Sequence, residues 1–475
     1  MPQYRIRFNV HTRLGLIALS VTFFLAGCSP ETGQITAEDP IEPKKTFTVD
    51  GNDNQPAPDR WWTSFNDDEL DTLIQDGLQS NLTLKTSWQR LQAARAVVDR
   101  ESSSLFPSLQ ANAQGGITKS DLEFENDQNI TLGLSSSYEI DLWGRIGSNI
   151  DAAEFRAEAS RTDYQTAALS LSAEITRTSY RLVEERNQLE LLQQQIQTNQ
   201  TVLNLLESRF GSGQIRSVDI LRQRQLLEST REQKSRVESR IKTLEHQLAV
   251  LLGRQPGSNS YMLPDSLPDI PPMPDTGIPS DLVQRRPDVR SAFNRLKAAD
   301  RDLASAISNQ YPRLSLSASV SSAAENATGL FQDWALSFAG NIIAPILRGG
   351  ELSAEVDRVD AVKQQRLYEY GQTVLTSFQE VENALVREQK QKESIHSLER
   401  QLKLARQSYE QLRLEYFNGI SDYLDVLTAL DEVQRLQRDL LTERLILVEY
   451  RIALYRALAG PINSGPDSRD MAAND

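Results

Sequence analysis

The feature that most constrains the fold is an internal repeat that spans most of the chain. The stretches SRFGSGQIRSVDIL at 208–221 and EYFNGISDYLDVL at 415–427 align without a gap. The paired positions, each 206 residues apart, are Phe210 with Tyr416, Gly213 with Gly419, Asp219 with Asp425, Leu221 with Leu427, Leu248 with Leu454, and Leu252 with Leu458. Self-similarity at a fixed offset indicates one structural unit built twice. The fold therefore has to be explained as two copies and a linker.

Proline marks the boundary between the two copies. Eight prolines lie between Arg254 and Asp288, too many for a helix or a central strand. By contrast, no proline occurs within 108–255 or within 346–460. We therefore expect an irregular linker at 255–279 and long helices in the two proline-free spans.

Each copy is predicted to run in the order short helix, two strands, very long helix, glycine turn and medium helix. Leucine and isoleucine recur at heptad-like spacing along the first long helix, as in a coiled coil. In the first copy (69–254), the expected bounds are short helix 69–105, strands 108–118 and 129–142, long helix 145–209, turn 211–217 and helix 218–254. In the second copy (280–459), they are strands 313–322 and 333–345, long helix 349–416, turn 417–421 and helix 422–459. An N-terminal extended segment at 28–68 and a C-terminal tail at 460–475 flank the copies.

The four strand segments alternate apolar and polar residues, as half-buried strands do. In RLSLSASVSS at 313–322, Leu314 and Leu316 share one face, whereas Ser315 and Ser317 share the other. Each segment has about ten residues, the length of a tilted strand across a bilayer. Four strands cannot close a barrel, which takes about eight, so several chains would have to share one. The open alternative is a small water-soluble sandwich with its core between two sheets.

The expected fold class is thus mainly α with a membrane β-barrel portion. Long antiparallel coiled-coil helices are combined with four strands per chain. Two chains would supply eight strands and a narrow pore filled by side chains, and three chains would supply twelve and leave room for water. Each very long helix would extend about 100 Å at 1.5 Å per residue.

The N-terminus has the layout of a secretory signal peptide at 1–27. Arginines precede an apolar run from Leu14 to Ala26, which is too short to be a membrane span. Leu25-Ala26-Gly27-Cys28 resembles a bacterial lipobox, which makes Cys28 the expected lipidation site. The alternative is a free thiol at an ordinary cleavage site, although a lone cysteine has no disulfide partner in an oxidising compartment.

The residues that could carry catalysis or bind metals are few. The chain has only three histidines, no phosphate-binding glycine-rich loop and a formal charge of −14. These features disfavour a histidine-based catalytic triad, a zinc site and nucleic acid as a partner. We therefore expect no enzyme activity, no cofactor and no metal. The acidic balance also suggests a hypothesis, that a lumen formed by this chain prefers cations.

Several motifs together resemble the outer membrane factor family, the TolC-like channels of efflux and secretion systems. The resemblance is closest to its lipoprotein branch, similar to OprM and CusC and including proteins of the NodT type. The motifs are WWTSFNDDELDTLI (61–74), YEIDLWGRI (138–146), IPSDLVQRRPDVR (278–290), YPRLSLS (311–317), PILRGGEL (345–352) and the two glycine turns. The resemblance implies a homotrimer with a twelve-stranded barrel in outer membrane lipid and a periplasmic α-helical tunnel.

The same resemblance implies two functional sites at the turns. The second turn would form the periplasmic gate, with Leu424 as its apolar constriction. The position where the family often carries aspartate is Thr428 here, so Asp422 or Asp425 would supply the negative charge instead. The alternative is that Ser421 or Asp422 caps the following helix and Leu424 is coiled-coil packing. The adaptor-docking tip would consist of Ser212, Gly213, Gln214, Ile215, Gly419 and Ile420.

The expected function is therefore the exit duct of a tripartite efflux system. It would conduct small molecules passively from an inner-membrane pump, of the RND type, and a periplasmic adaptor protein to the exterior. The expected location is the outer membrane, with a lipid anchor and a periplasmic helical domain. Two alternatives stay open: a structural or adhesive coiled-coil lipoprotein without a pore, and the exit duct of a type I protein secretion system.

Overall fold

The computed structural model describes residues 58–119, 126–257, 261–274, 279–326 and 328–462. The signal peptide, Cys28, the N-terminal segment up to residue 57 and the tail from residue 463 lie outside the described residues, as do parts of the linker. The described chain divides into two compact units. The first unit comprises Ala93–Glu158 and Phe293–Glu369, and the second comprises 58–92, Ala159–Ala292 and 370–462.

The described elements repeat in the order that the sequence predicts. The first copy contains α1 (Asp68–Ser80), α2 (Leu82–Ser102), β1 (Ser108–Lys119), β2 (Asn126–Ile140), α3 (Arg145–Gly211) and α4 (Ser217–Leu251). The second contains α5 (Pro279–Arg285), α6 (Pro287–Ser308), β3 (Arg313–Ala324), β4 (Ala335–Ile343), α7 (Glu351–Phe417) and α8 (Tyr423–Leu458). The expected fold class is confirmed for the chain: it is mainly helical, with four strands in one antiparallel sheet.

The four strands form a single sheet in the order β1-β2-β3-β4, so β1 and β4 are its edges. The register aligns one row of apolar residues, Ala111, Leu134, Val320 and Leu336, and a neighbouring polar row, Gln110, Ser135, Ser319 and Ser337. Since successive side chains point to opposite faces, these rows lie on opposite faces. Large apolar side chains such as Phe338, 76% exposed, remain uncovered in the protomer. The two-sheet sandwich is therefore wrong for the described strands.

The first short helix is interrupted, whereas the sequence predicts one helix from residue 69 to 105. Asn81 adopts an extended conformation between α1 and α2. Its side-chain oxygen accepts a hydrogen bond from the Leu84 amide at 2.9 Å, and its side-chain nitrogen donates to the Leu251 carbonyl at 2.9 Å. The break is stabilised by helix capping and by a tertiary contact, which periodicity alone does not reveal.

A smaller difference occurs at the end of β2, where the strand ends at Ile140 and not at Leu142. Asp141 accepts a hydrogen bond from the Gly147 amide at 2.8 Å, and Gly144 has a φ of 71°. This turn starts α3. Trp143 then stacks on Tyr311 with ring centroids 4.9 Å apart, which brings two of the motifs quoted above together.

The main core of the second unit contains a cluster of aromatic side chains among its aliphatic ones. The WWTSF segment forms a short 3₁₀ helix, Trp61–Phe65, and its aromatic side chains are buried. Trp61 stacks on Tyr455 with ring centroids 5.9 Å apart, and the ring centroids of Phe65 and Tyr180 are 5.6 Å apart. The segment before the first copy is thereby fixed to α3 and α8. Burial of each aromatic ring stabilises the folded chain by a few kcal/mol.

A buried ion pair holds the proline linker against the second copy. Arg451 on α8 and Glu388 on α7 are both 0% exposed and are joined by two hydrogen bonds of 2.8 and 2.5 Å. Arg451 also donates to the carbonyl of Pro271 and, at 2.9 Å, to that of Pro272. Burial alone would raise the pKa of Glu388, but hydrogen bonds and charge from Arg451, with help from Lys392, hold it below its usual value. The linker is thus attached by a fully paired charge.

None of the helices within the described ranges is both long enough and apolar enough to cross a membrane.

Candidate functional site at the hairpin turns

The two helical hairpins, α3–α4 and α7–α8, end in turns of the same geometry. Gly213 and Gly419 have φ values of 70° and 71°. In the first turn the Gly213 amide donates to the Phe210 carbonyl and the Gln214 amide to the Arg209 carbonyl. The second turn repeats both bonds from Gly419 and Ile420. This is the Schellman motif, which requires a left-handed residue at the position that glycine occupies.

We call residues 207–224 the first tip and residues 413–430 the second tip. Most residues expected to dock an adaptor are exposed: Ser212, Gly213, Gln214, Gly419 and Ile420. Ile420 is 74% exposed, so the second tip presents an apolar side chain to its surroundings. Ile215 is only half-exposed, because it packs against the apolar cluster beneath the turns.

The residues expected to form the gate lie on one exposed face at the start of α8. Leu424 is 43% exposed, and Asp422, Asp425 and Thr428 are exposed. The Thr428 hydroxyl donates a hydrogen bond to the Leu424 carbonyl at 2.8 Å. The buried face of the same turns is formed by Tyr423, Val426 and Leu430. Leu424 thus lies outside the buried face of α8.

The helix-capping alternative fits the geometry only in part. Asp422 occupies the N-cap position of α8, but its side chain makes no capping hydrogen bond. Ser421 instead donates to the Leu412 carbonyl at 3.4 Å. Asp422 therefore remains available to act as a charge at the tip, as does the exposed Asp425.

Asp219 and Asp425 are paired by the repeat but differ in environment. Asp219 is buried, with Arg216 and Arg222 at 3.6 and 3.8 Å. Asp425 is exposed. The two tips are therefore related in backbone geometry but not in chemistry.

The sequence did not indicate the contacts that join the two tips. Tyr423 donates its hydroxyl to the side-chain oxygen of Gln223 at 2.6 Å, and Gln223 donates to the Asn199 carbonyl at 2.8 Å. Burial raises the pKa of Tyr423, so the phenol stays a neutral donor. The available signal was a polar residue at a core heptad position, because Gln223 lies between the buried Ile220 and Leu227.

Further polar contacts join α3 to α8. Asn199 exchanges hydrogen bonds with Gln434 at 3.2 and 2.9 Å. Further along, Glu184 accepts from Gln188 at 2.8 Å and from Thr442 at 3.2 Å. Burial raises the pKa of Glu184 despite these bonds. A coiled-coil seam with buried polar groups fixes register at a cost in stability.

Arg209 makes a second contact between the tips. Its guanidinium lies 5.2 Å from the centroid of the Tyr416 ring and 5.5 Å from that of Phe417. Its Nε donates to the side-chain oxygen of Gln214 at 3.2 Å. A residue of the first hairpin thereby holds the end of α7 through cation–π contacts.

Comparisons with known proteins agree with this architecture. The family model described as outer membrane efflux protein matches residues 73–254 and 278–460, one range in each copy. The pyoverdine export outer membrane protein OpmQ of Pseudomonas aeruginosa is 30% identical over 436 residues, which are 88% of this chain and 90% of OpmQ. The solved outer-membrane channel OprN superposes with a TM-score of 0.83 at 26% identity, over 90% of this chain and 99% of OprN. The open state of the Neisseria gonorrhoeae MtrE outer membrane channel superposes with a TM-score of 0.80 at 27% identity, over 88% of this chain and 97% of MtrE.

Proposed function

This chain belongs to the outer membrane efflux protein family, and on that premise we propose that it is the exit duct of a tripartite pump. It conducts small molecules from an inner-membrane pump of the RND type, through a periplasmic adaptor, to the exterior. The members of this family are channels and not enzymes. The protein accordingly acts in the outer membrane as a passive component of efflux.

The observation that carries the proposal is the single sheet with two different faces and two open edges. Its apolar face suits lipid and its serine-rich face suits a water-filled lumen. In hydrocarbon every backbone group needs a partner, so the edges at β1 and β4 must be paired by other chains. Three chains supply twelve strands, which is enough for an open channel.

The assignments at the turns belong to the same proposal. The second tip is the periplasmic gate, with Leu424 as the constriction and Asp422, Asp425 and Thr428 on the same face. The docking residues named above receive the adaptor. The exposure of Leu424 in the protomer supports this assignment, because a constriction residue must face the lumen.

The expected anchoring and segmentation are likewise proposed. Cys28 carries the lipid, and residues 1–27 are removed. The two copies at 69–254 and 280–459 each contribute one hairpin and two strands, and the linker at 255–279 joins them. Replacing Cys28 with serine should abolish metabolic labelling with palmitate.

Reconstitution into planar bilayers tests the central claim. The purified protein should give discrete unitary conductance steps, and mass measurement in detergent should give a trimer. An adhesive scaffold would give no steps, and a stable monomer would contradict the shared barrel. The reversal potential under a salt gradient tests the cation preference, which a value near zero would exclude.

Export assays separate the remaining alternative. OpmQ is described as a pyoverdine export protein, so it serves a small molecule. If this chain acts similarly, it should restore small-molecule efflux in a strain that lacks its own exit duct. Secretion of a protein substrate without small-molecule efflux would favour a type I secretion role instead.

A further inference from the structure

The two tips carry opposite charges at equivalent positions of the repeat. The reversed pairs are Glu207 with Arg413, Arg209 with Glu415, and Arg216 with Asp422. In addition, Arg222 and Arg224 have the neutral counterparts Thr428 and Leu430. The first tip therefore has four arginines and two acidic residues, and the second has one arginine and three acidic residues. The backbone geometry is repeated, but the sign of the charge is inverted.

The two tips do not neutralise each other within the chain. The ion pairs at the tips stay inside their own hairpins, as between Arg224 and Glu207 at 2.6 Å, and between Arg413 and Glu410 at 2.7 Å. The contacts that join the tips are aromatic and amide contacts, including the hydrogen bond from Tyr423. The charges that flank the turns thus stay at the exposed end of each hairpin.

Arg216 is placed against the local preference of its helix. It occupies the N-cap position of α4 without a capping hydrogen bond, and its side chain is 64% exposed. A cation at a helix N-terminus is unfavourable because of the helix dipole, whereas Asp422 at the same position of α8 is favourable. Its long contact with Asp219, at 3.6 Å, offsets little of this cost. A residue that breaks a local rule without a gain for folding points to a role in binding.

We propose that the two tips are two chemically distinct docking surfaces for the periplasmic adaptor. The first tip takes acidic side chains of the adaptor, and the second tip takes basic ones. A trimer presents three tips of each charge. An adaptor with complementary charges can therefore bind only where its acidic side chains face the first tip and its basic side chains face the second. Complementary charges also accelerate association at low salt. This inference rests on the proposed function, which supplies the adaptor as the partner.

Association kinetics test the proposal with full-length trimers in nanodiscs. The probe is the purified adaptor with which the wild-type channel supports export. Arg216→Asp and Glu415→Arg each change the charge of one tip at a residue outside the gate, and Arg236→Asp and Glu393→Arg make the same charge changes on exposed sites away from both tips. Each tip variant should lower the association rate constant by roughly tenfold at low salt, because steering depends on complementary charge. The difference should vanish at about 1 M salt, where charges are screened within about 3 Å.

Neutral variants guard against local misfolding. Arg216→Gln and Glu415→Gln should produce about half of the logarithmic effect of the reversals, and every variant is first confirmed as a trimer by mass. Tip variants that behave like the two control variants would overturn the proposal. An opposite response, in which one reversal weakens and the other strengthens binding, would also overturn it, since that result means a partner of one charge.

Two other outcomes point elsewhere. If the reversals leave adaptor binding unchanged but dissociate the trimer, the charges serve neighbouring copies of this chain and the inference is wrong. If the wild-type channel binds no adaptor while conducting normally, the proposed function fails and the inference fails with it. Wild-type binding with unaffected variants overturns the inference alone.

Discussion

Replacing Arg451 with methionine should loosen the proline linker from the second copy. The substitution keeps the apolar stem but removes both hydrogen bonds to Glu388 and those to Pro271 and Pro272. Glu388 is then a fully buried carboxylate with only Lys392, at 2.7 Å, as a cationic partner. Breaking a buried pair by removing one partner costs about 3–5 kcal/mol. Because 1.4 kcal/mol is a factor of ten, local opening should become roughly 10² to 4 × 10³ times more frequent.

Hydrogen–deuterium exchange on the intact trimer measures this change. Amides of the linker at 261–274 and of the last turns of α8 should lose protection by that factor. The double variant Glu388→Leu with Arg451→Met removes both charges and should recover most of the protection. Arg435→Met, which breaks exposed pairs with Glu432 and Asp439, should cost less than about 1 kcal/mol for each pair.

The pH dependence gives an independent check of the same pair. In the wild type the pKa of Glu388 is lowered, so its contribution to stability is present above the ordinary carboxylate pKa and is lost as pH falls through the folded value. Without Arg451, burial dominates and the defect should shrink on acidification. An Arg451→Met protein that exchanges no faster than the double variant would refute the reasoning.

Three further perturbations probe the tips and the seam. Leu424→Ala should raise leakage of bulky antibiotics into the periplasm, whereas Val218→Ala at the equivalent position of the first tip should not; unchanged permeability at normal expression would end the gate assignment. Tyr423→Phe removes the hydroxyl that donates to the buried Gln223 oxygen, which should destabilise the contact between the tips by about 1–3 kcal/mol. Channel openings in bilayers should therefore increase. An unaltered open fraction would mean that the two tips do not separate at this contact. Glu184→Gln should raise the melting temperature at neutral pH more than at pH 5, because a raised folded pKa makes the wild type lose stability as pH rises; an equal shift at both values would contradict this.

Much of the fold could be predicted because its determinants are local or repeated. Proline placement, heptad spacing and alternating strands depend on residues that lie close together in sequence. The break at Asn81 could not be predicted in this way, since it depends on a hydrogen bond to Leu251, 170 residues further along the chain. The end of β2 depends on a hydrogen bond from the Gly147 amide to the Asp141 side chain, which is local but is not part of the alternating strand pattern.

The candidate site was predictable only as far as the repeat reaches. Glycine at 213 and 419 indicated both turns, because a left-handed position favours glycine. The repeat also suggested that Asp219 and Asp425 are equivalent, but only the first is buried. Tertiary packing decides that difference in burial, which the local sequence pattern does not predict.

The open edges of the sheet have a genetic consequence. Since the open edges of β1 and β4 pair only with strands of the other protomers, one chain with a damaged edge strand disrupts every trimer that contains it. When damaged and intact copies are expressed together, sound channels should decline with the cube of the intact fraction. Inheritance of such a lesion would therefore be dominant, even though each polypeptide folds its own helices.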